Sequence, residues 1–179
     1  MAELETKQIP KIAYVFPGQG SQAVGMGYDL YQRSPQARQV FEEADQELQF
    51  PLSRLCFEGP LEELRETINA QPAILTVSIA YFRAISEFNG TIKASLVAGH
   101  SAGEYTALVA ANVLAFADAV RLVRERGRLM QDAGRSRSGG MAAIIGLDEP
   151  SVEKICLESG AQIANINCTG QIVVSGTKD

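Results

Sequence analysis

Histidine occurs once in these 179 residues, at His100, and cysteine three times, at Cys56, Cys156 and Cys168. One histidine and an odd number of cysteines without Cys-x-x-Cys spacing indicate neither a zinc site nor a disulfide framework, so the three are read as ordinary thiols and no metal is expected. Positive charge is also scarce. Sixteen Lys and Arg against 21 Asp and Glu leave a net charge of -5, with no basic stripe for nucleic acid and no polybasic anchor for a membrane surface. Long apolar runs are missing as well: none reaches the roughly 18 residues a membrane span requires, and the opening "MAELETKQIPK" is mixed in charge with no apolar h-region. These absences lead us to expect a cytoplasmic protein whose partners are small molecules or proteins, with no nucleic acid and no membrane among them.

What is present is enough apolar material for a sizeable core, 46% of the chain. "KIAYVF" (11–16) reads as a buried strand and "PGQGSQAVGMG" (17–27) as a glycine-rich loop leaving it. Helical patterns follow at 35–48, 60–68 and 72–88, each opening with a proline, which suits the first helical turn because its N–H lacks a partner there anyway. A second strand is expected over 91–98, and helices over 101–114 and 118–133. The composition then shifts. "GRSRSGG" (134–140) reads as a polar linker, beyond which strand, helix, strand, strand follow in "MAAIIGL", "EPSVEKICLES", "QIANIN" and "QIVVSG". The fold class is therefore α/β, with one unit over 1–138 and a smaller one over 139–179.

Residues 99–103, "GHSAG", form a Gly-x-Ser-x-Gly between a strand pattern and a helix pattern. In a nucleophile elbow the flanking glycines let strand and helix pass closely, while the serine takes a strained backbone conformation and stands at the helix N-terminus. There the unpaired N–H groups and the helix dipole favour an oxyanion on a bound carbonyl, which suits acyl transfer. The alternative is a tight turn with Ser101 as a simple helix cap. Loop 17–27 could cradle a phosphate, yet it lacks the third glycine of the dinucleotide pattern and has no Gly-Lys-Ser/Thr. In a parallel sheet, ligands gather outside the carboxyl ends of the strands, which would put this loop beside Ser101.

Over 118–133, a step of about 100° per residue puts Val120, Leu122, Val123, Gly127, Leu129 and Met130 on one side of a helix and Arg121, Arg124, Glu125 and Arg128 opposite. Arg126 falls within the apolar stripe. An unpaired guanidinium is costly there, so an anionic partner is expected, either an internal Asp or Glu or a substrate carboxylate held bidentately.

"YVFPGQGSQAVGMG", "QPAIL", "GHSAGEYTALVAA", "ADAVRLVRERGRLMQ", "GGMAAIIGLD" and "NINCTGQIVVSG" resemble, in order, successive blocks of the malonyl-CoA:acyl carrier protein transacylase family, whose acyltransferase relatives occur in fatty acid and polyketide synthesis. The resemblance runs from Ile12 to Gly176. It implies an α/β-hydrolase-like large subdomain, incomplete here, and a partial ferredoxin-like small subdomain. It further implies that Ser101 takes malonyl from coenzyme A as an ester and passes it to the phosphopantetheine thiol of acyl carrier protein. Backbone N–H groups of Gln19 and Ala102 would hold the oxyanion, Arg126 the malonyl carboxylate, and Met130 would line the acyl pocket. Gln71 would border the same cleft and His100 would act as a positioning residue. No permanent cofactor is implied, only a coenzyme A thioester as substrate.

The chain departs from the family pattern at two points. Ala102 stands where many members carry leucine, which keeps the N–H but alters the side chain beside the acyl group. The family's catalytic histidine lies downstream of the small subdomain, so the chain is expected to be an N-terminal portion, inactive by itself. A serine carboxylesterase or thioesterase-like hydrolase would share the bend without explaining Arg126, and an acyl carrier protein binding fragment would bind without turnover.

Overall fold

β1 (Ala13–Phe16) and β2 (Leu96–Gly99) lie side by side and parallel, in the register Ala13 with Leu96 through Phe16 with Gly99. Parallel neighbours need a long crossover. Here it consists of α1 (Tyr28–Arg33), α2 (Pro35–Leu48), α3 (Leu52–Glu58), α4 (Leu61–Arg65) and the 23-residue α5 (Thr67–Asn89). After β2 come α6 (Gly103–Ala110) and α7 (Phe116–Ser136). The computed structural model describes residues 11–89, 94–136 and 139–177. The chain divides into two units, Met1–Gln131 and Asp132–Asp179.

The core of the first unit is helical. Phe41 of α2, Leu52 of α3, Leu64 of α4, Leu75 and Ile79 of α5 and Val123 of α7 are all fully or almost fully buried in one cluster. α2 begins at Pro35, its first turn closed by Ser34, whose Oγ accepts from the Ala37 N–H at 3.2 Å. α5 differs from expectation. Pro72 does not open it but lies inside it, five residues after the start at Thr67. A proline so near the start removes one bond, its own N–H to the Ile68 carbonyl, and the buried Ala73, Ile74 and Leu75 compensate through packing. α4 stops at Arg65 rather than running on to 68. The short α1 and α3 were not legible from periodicity.

In the second unit, β3 (Gly139–Ile145), β4 (Gln162–Cys168) and β5 (Gln171–Thr177) form an antiparallel sheet in the order β3-β5-β4. α8 (Glu149–Ser159) packs on it through Val152 and Cys156 against Ile172. Asp148 caps α8, its carboxylate accepting from the Ser151 N–H at 3.1 Å. Hydrogen bonding from the Ser151 side chain, and then from its N–H, holds the Asp148 carboxyl below its ordinary value. The expected linker at 134–140 is a correction: α7 continues through Ser136 and β3 begins at Gly139, while residues 137 and 138 lie outside the described residues. Similarly, β2 starts at Leu96, and residues 91–93 of the expected strand lie outside the described residues.

Among the described residues no helix is long and apolar enough to cross a membrane.

Candidate active site

Ser101 sits where β2 ends and α6 begins, with φ at 53°, in the left-handed region that a residue with a side chain occupies only under constraint. The flanking glycines supply the constraint. A Cβ on Gly99 would lie 2.0 Å from the Gly103 carbonyl carbon, and one on Gly103 would lie 2.4 Å from the Phe16 carbonyl oxygen. Strand and helix therefore pass at backbone contact, and the N–H of Gly103 donates to the His100 carbonyl at 2.9 Å. The Ser101 side chain is left exposed while Ala102, the N-cap of α6, is buried. The next two N–H groups of the helix start are bound back to the bend as well, Glu104 to the Ser101 carbonyl and Tyr105 to the Ala102 carbonyl, each at 3.2 Å, and the positive end of the α6 dipole lies at the serine.

The loop after β1 comes up beside the bend. A Cβ on Gly18 would lie 2.6 Å from the His100 carbonyl oxygen and 2.9 Å from its Nδ1, so the His100 ring is turned against Gly18. Within the loop, the Gly20 N–H donates to Gln22 Oε1 at 2.8 Å and Ser21 Oγ to the Gly18 carbonyl at 3.0 Å. Gln19 lies in this closed turn, and its side-chain Nε2 donates to Thr67 Oγ1 at 3.2 Å.

Arg126 reaches the serine from α7. Its Nη2 donates to Ser101 Oγ at 3.1 Å and its Nη1 to Gln71 Oε1 at 2.6 Å. Gln71 is 0% exposed, and its Nε2 meets Met130 Sδ at 3.3 Å. Of the two anionic partners considered for Arg126, an internal carboxylate is not found, since no ion pair to Arg126 forms among the described residues. The guanidinium is half-buried, held by a neutral amide, with its second face on the exposed hydroxyl. This leaves a positive charge beside Ser101 that no described side chain neutralises.

The approach of α7 depends on Gly127. A Cβ there would lie 2.6 Å from the Thr67 carbonyl oxygen and 2.8 Å from the Ile68 Cα, so only glycine lets α7 close on the first turn of α5. Gln131 Oε1 accepts from the Ile68 N–H at 3.2 Å along the same seam. The sequence pattern placed Gly127 on the apolar side of α7 but could not indicate the partner. The apolar stripe itself is narrower than periodicity suggested. Val120, Val123 and Gly127 are buried, whereas Leu122 and Leu129 are exposed and Met130 is 46% exposed. Gln71, Thr67 and Asn69 carry contacts that no local pattern reveals.

A family model described as an acyl transferase domain matches residues 13–179. The malonyl CoA-acyl carrier protein transacylase of Bacillus subtilis is 51% identical over 172 residues, covering 93% of this chain and 54% of that relative. The transacylase of the same name from Salmonella typhimurium is 48% identical over 173 residues, with 94% and 56% covered. Among solved structures, the acyl-carrier-protein-S-malonyltransferase of Bartonella henselae superposes with a TM-score of 0.87 at 48% identity, over 93% of this chain and 55% of that one. A type II polyketide malonyl-transacylase, solved in complex with its acyl-carrier protein, gives a TM-score of 0.87 at 45% identity, with 94% and 56% covered. The chain spans about half the length of the curated relatives it matches. With a serine held at a left-handed bend and a guanidinium on its hydroxyl, the chain belongs to the acyl transferase domain family.

Proposed function

We propose that this chain carries the nucleophile-bearing part of a malonyl-CoA:acyl carrier protein transacylase. The observation that carries this reading is Arg126, whose Nη2 sits 3.1 Å from Ser101 Oγ and whose Nη1 is held by a neutral amide. A positive charge with no internal carboxylate, beside an exposed serine, fits an acyl group that ends in a carboxylate. Malonyl is such a group; acetyl is not. The names of the relatives and the complex of one with its acyl-carrier protein support the same donor and acceptor.

In this reading Ser101 Oγ attacks the thioester carbonyl carbon and its proton passes to a base. The carbonyl oxygen becomes an oxyanion held by the N–H groups of Gln19 and Ala102. On collapse the C–S bond breaks, coenzyme A leaves as its thiol with the returned proton, and malonyl stays on Ser101 as an ester. The phosphopantetheine thiol of acyl carrier protein then attacks the ester, and Ser101 regains its hydrogen. His100, the one histidine of the chain, has its ring against Gly18 and is assigned to positioning, so the base is expected outside residues 1–179. Met130, one turn from Arg126, borders the acyl group. The Met1–Gln131 unit reads as part of an α/β-hydrolase-like subdomain, and the β3-α8-β4-β5 order supports a partial ferredoxin-like one.

The test is the intact mass of the protein at its full natural length after exposure to malonyl-CoA. One malonyl group is expected on the native protein and none on Ser101→Ala. Equal labelling of the two would overturn the assignment.

A further inference from the structure

The turn that carries Gln19 is closed on itself by Gly20 N–H to Gln22 and by Ser21 to the Gly18 carbonyl. Those bonds shape the turn but do not fix where it stands relative to Arg126. Gln19 Nε2 supplies such a link by donating to Thr67 Oγ1 at 3.2 Å, across 48 positions of sequence. Thr67 is itself immobilised. It opens α5, its carbonyl oxygen lies against α7 at Gly127, and the next residue's N–H is bound by Gln131. A β-branched side chain at such a position has few rotamers to explore, so its hydroxyl is a stiff anchor. Four residues on, Gln71 holds Arg126.

One turn of α5 therefore references both groups that a malonyl thioester must meet at once: the oxyanion donor, through Thr67, and the carboxylate's guanidinium, through Gln71. We infer that Thr67 is a positioning residue for acyl transfer, acting through the Gln19 side chain to hold the Gln19 N–H where the oxyanion forms. The inference rests on the proposed transacylase reading and adds a residue to it. Gln71 and Thr67 then have separable consequences. Loss of the Gln71 contact disturbs only donors with a carboxylate, whereas loss of the Thr67 contact disturbs every acyl donor, because every tetrahedral intermediate carries the oxyanion.

Thr67→Val keeps the shape and removes the hydroxyl; Gln19→Leu removes the other end of the link and keeps the backbone N–H. In the protein at its full natural length, each is expected to lower kcat by about tenfold with malonyl-CoA and acetyl-CoA alike, the scale of a small misplacement of a catalytic group. KM should stay within about twofold, since the group is used mainly in the transition state. Thr67→Ser should restore the rate, and the double variant should lose no more than either single one, as for two ends of one contact. A loss confined to malonyl-CoA, a loss carried in KM, a loss that serine does not restore, or no loss at all would each overturn the role of Thr67. Ser101→Ala in the same assay separates the two levels. If it retains acylation, the transacylase reading has failed; if it abolishes acylation while Thr67→Val transfers normally, only the role of Thr67 has.

Discussion

Arg124 and Arg126 stand two positions apart on α7, reach toward the same turns of α5, and each ends on a side-chain amide oxygen at 2.6 Å, Arg124 on Asn69 and Arg126 on Gln71. Beyond that bond they diverge. The Arg124 guanidinium lies over the Phe50 ring, 4.4 Å from its centroid, and burial pushes its pKa down from the ordinary arginine value. Arg126 turns its Nη2 to the exposed Ser101 hydroxyl. Both are half-buried, but one arginine meets protein in Asn69 and Phe50 alike, while the other is fixed on one side and presented on the other. The helical wheel placed Arg124 on the polar side and Arg126 in the apolar stripe, in need of an anion from the protein or from a substrate, and did not reveal that Arg124 also packs against protein. Whether a buried cation serves the fold or a ligand is decided by what covers its second face.

The substitution with the largest expected effect is Arg126→Met, which keeps the stem and removes the charge. Transfer from malonyl-CoA should fall by roughly a hundredfold or more, the scale of truncating one partner of a desolvated charge pair, while transfer from acetyl-CoA changes by a few fold. Equal losses on both donors would return Arg126 to a structural role and erase its contrast with Arg124. Gln71→Leu comes next. Its amide oxygen orients Arg126 but touches no acyl donor in the proposed reaction, so malonyl transfer should drop by about tenfold, mainly through KM, because a loosened guanidinium binds its carboxylate less well in ground and transition states alike. Steady-state kinetics with the two donors gives both results.

This pair of arginines also shows how far the sequence could be read. Two helices came out with the limits read from the sequence, α2 from Pro35 to Leu48 and α8 from Glu149 to Ser159, and the structure shows why both starts are sharp: Ser34 and Asp148 cap them. The bend at Ser101 was legible because Gly-x-Ser-x-Gly states a backbone requirement, and the 2.0 Å approach of Gly103 to a Cβ on Gly99 is that requirement in three dimensions. α5 was misread at its start because a proline is compatible with a first turn but does not mark one; the helix runs back to Thr67, past Pro72. That error hid the turn carrying Thr67, Asn69 and Gln71. Their partners lie 48, 55 and 55 positions away, and neutral amides paired over such distances leave no periodic trace. Periodicity also cannot tell that Leu122 and Leu129, which share the apolar side of α7 by angle, are 49% and 54% exposed.

The smallest effect on catalysis, and the sharpest test of the contrast, is expected from Arg124→Met. Transfer from either donor should stay within about twofold, because the Arg124 guanidinium is spent on Asn69 and Phe50 and Gln71 keeps its own hold on Arg126. Stability should nevertheless fall by about 1 kcal/mol, read as a lower denaturant midpoint at unchanged slope. The loss comes less from the arginine than from what it leaves behind. Asn69 is 4% exposed, its Nδ2 donates to the Glu63 carbonyl at 2.9 Å, and without Arg124 its Oδ1 faces a methionine. An orphaned buried acceptor costs more than the net value of the bond it once made, whereas the guanidinium regains solvation and the methionine can still lie against Phe50. Asn69→Leu in the Arg124→Met background removes the orphaned oxygen, at the expense of the bond to Glu63, and should therefore recover part of the loss. If instead Arg124→Met lowers malonyl transfer as much as Arg126→Met does, the two arginines act as one unit through the first turns of α5, and the distinction between the packed cation and the presented one fails.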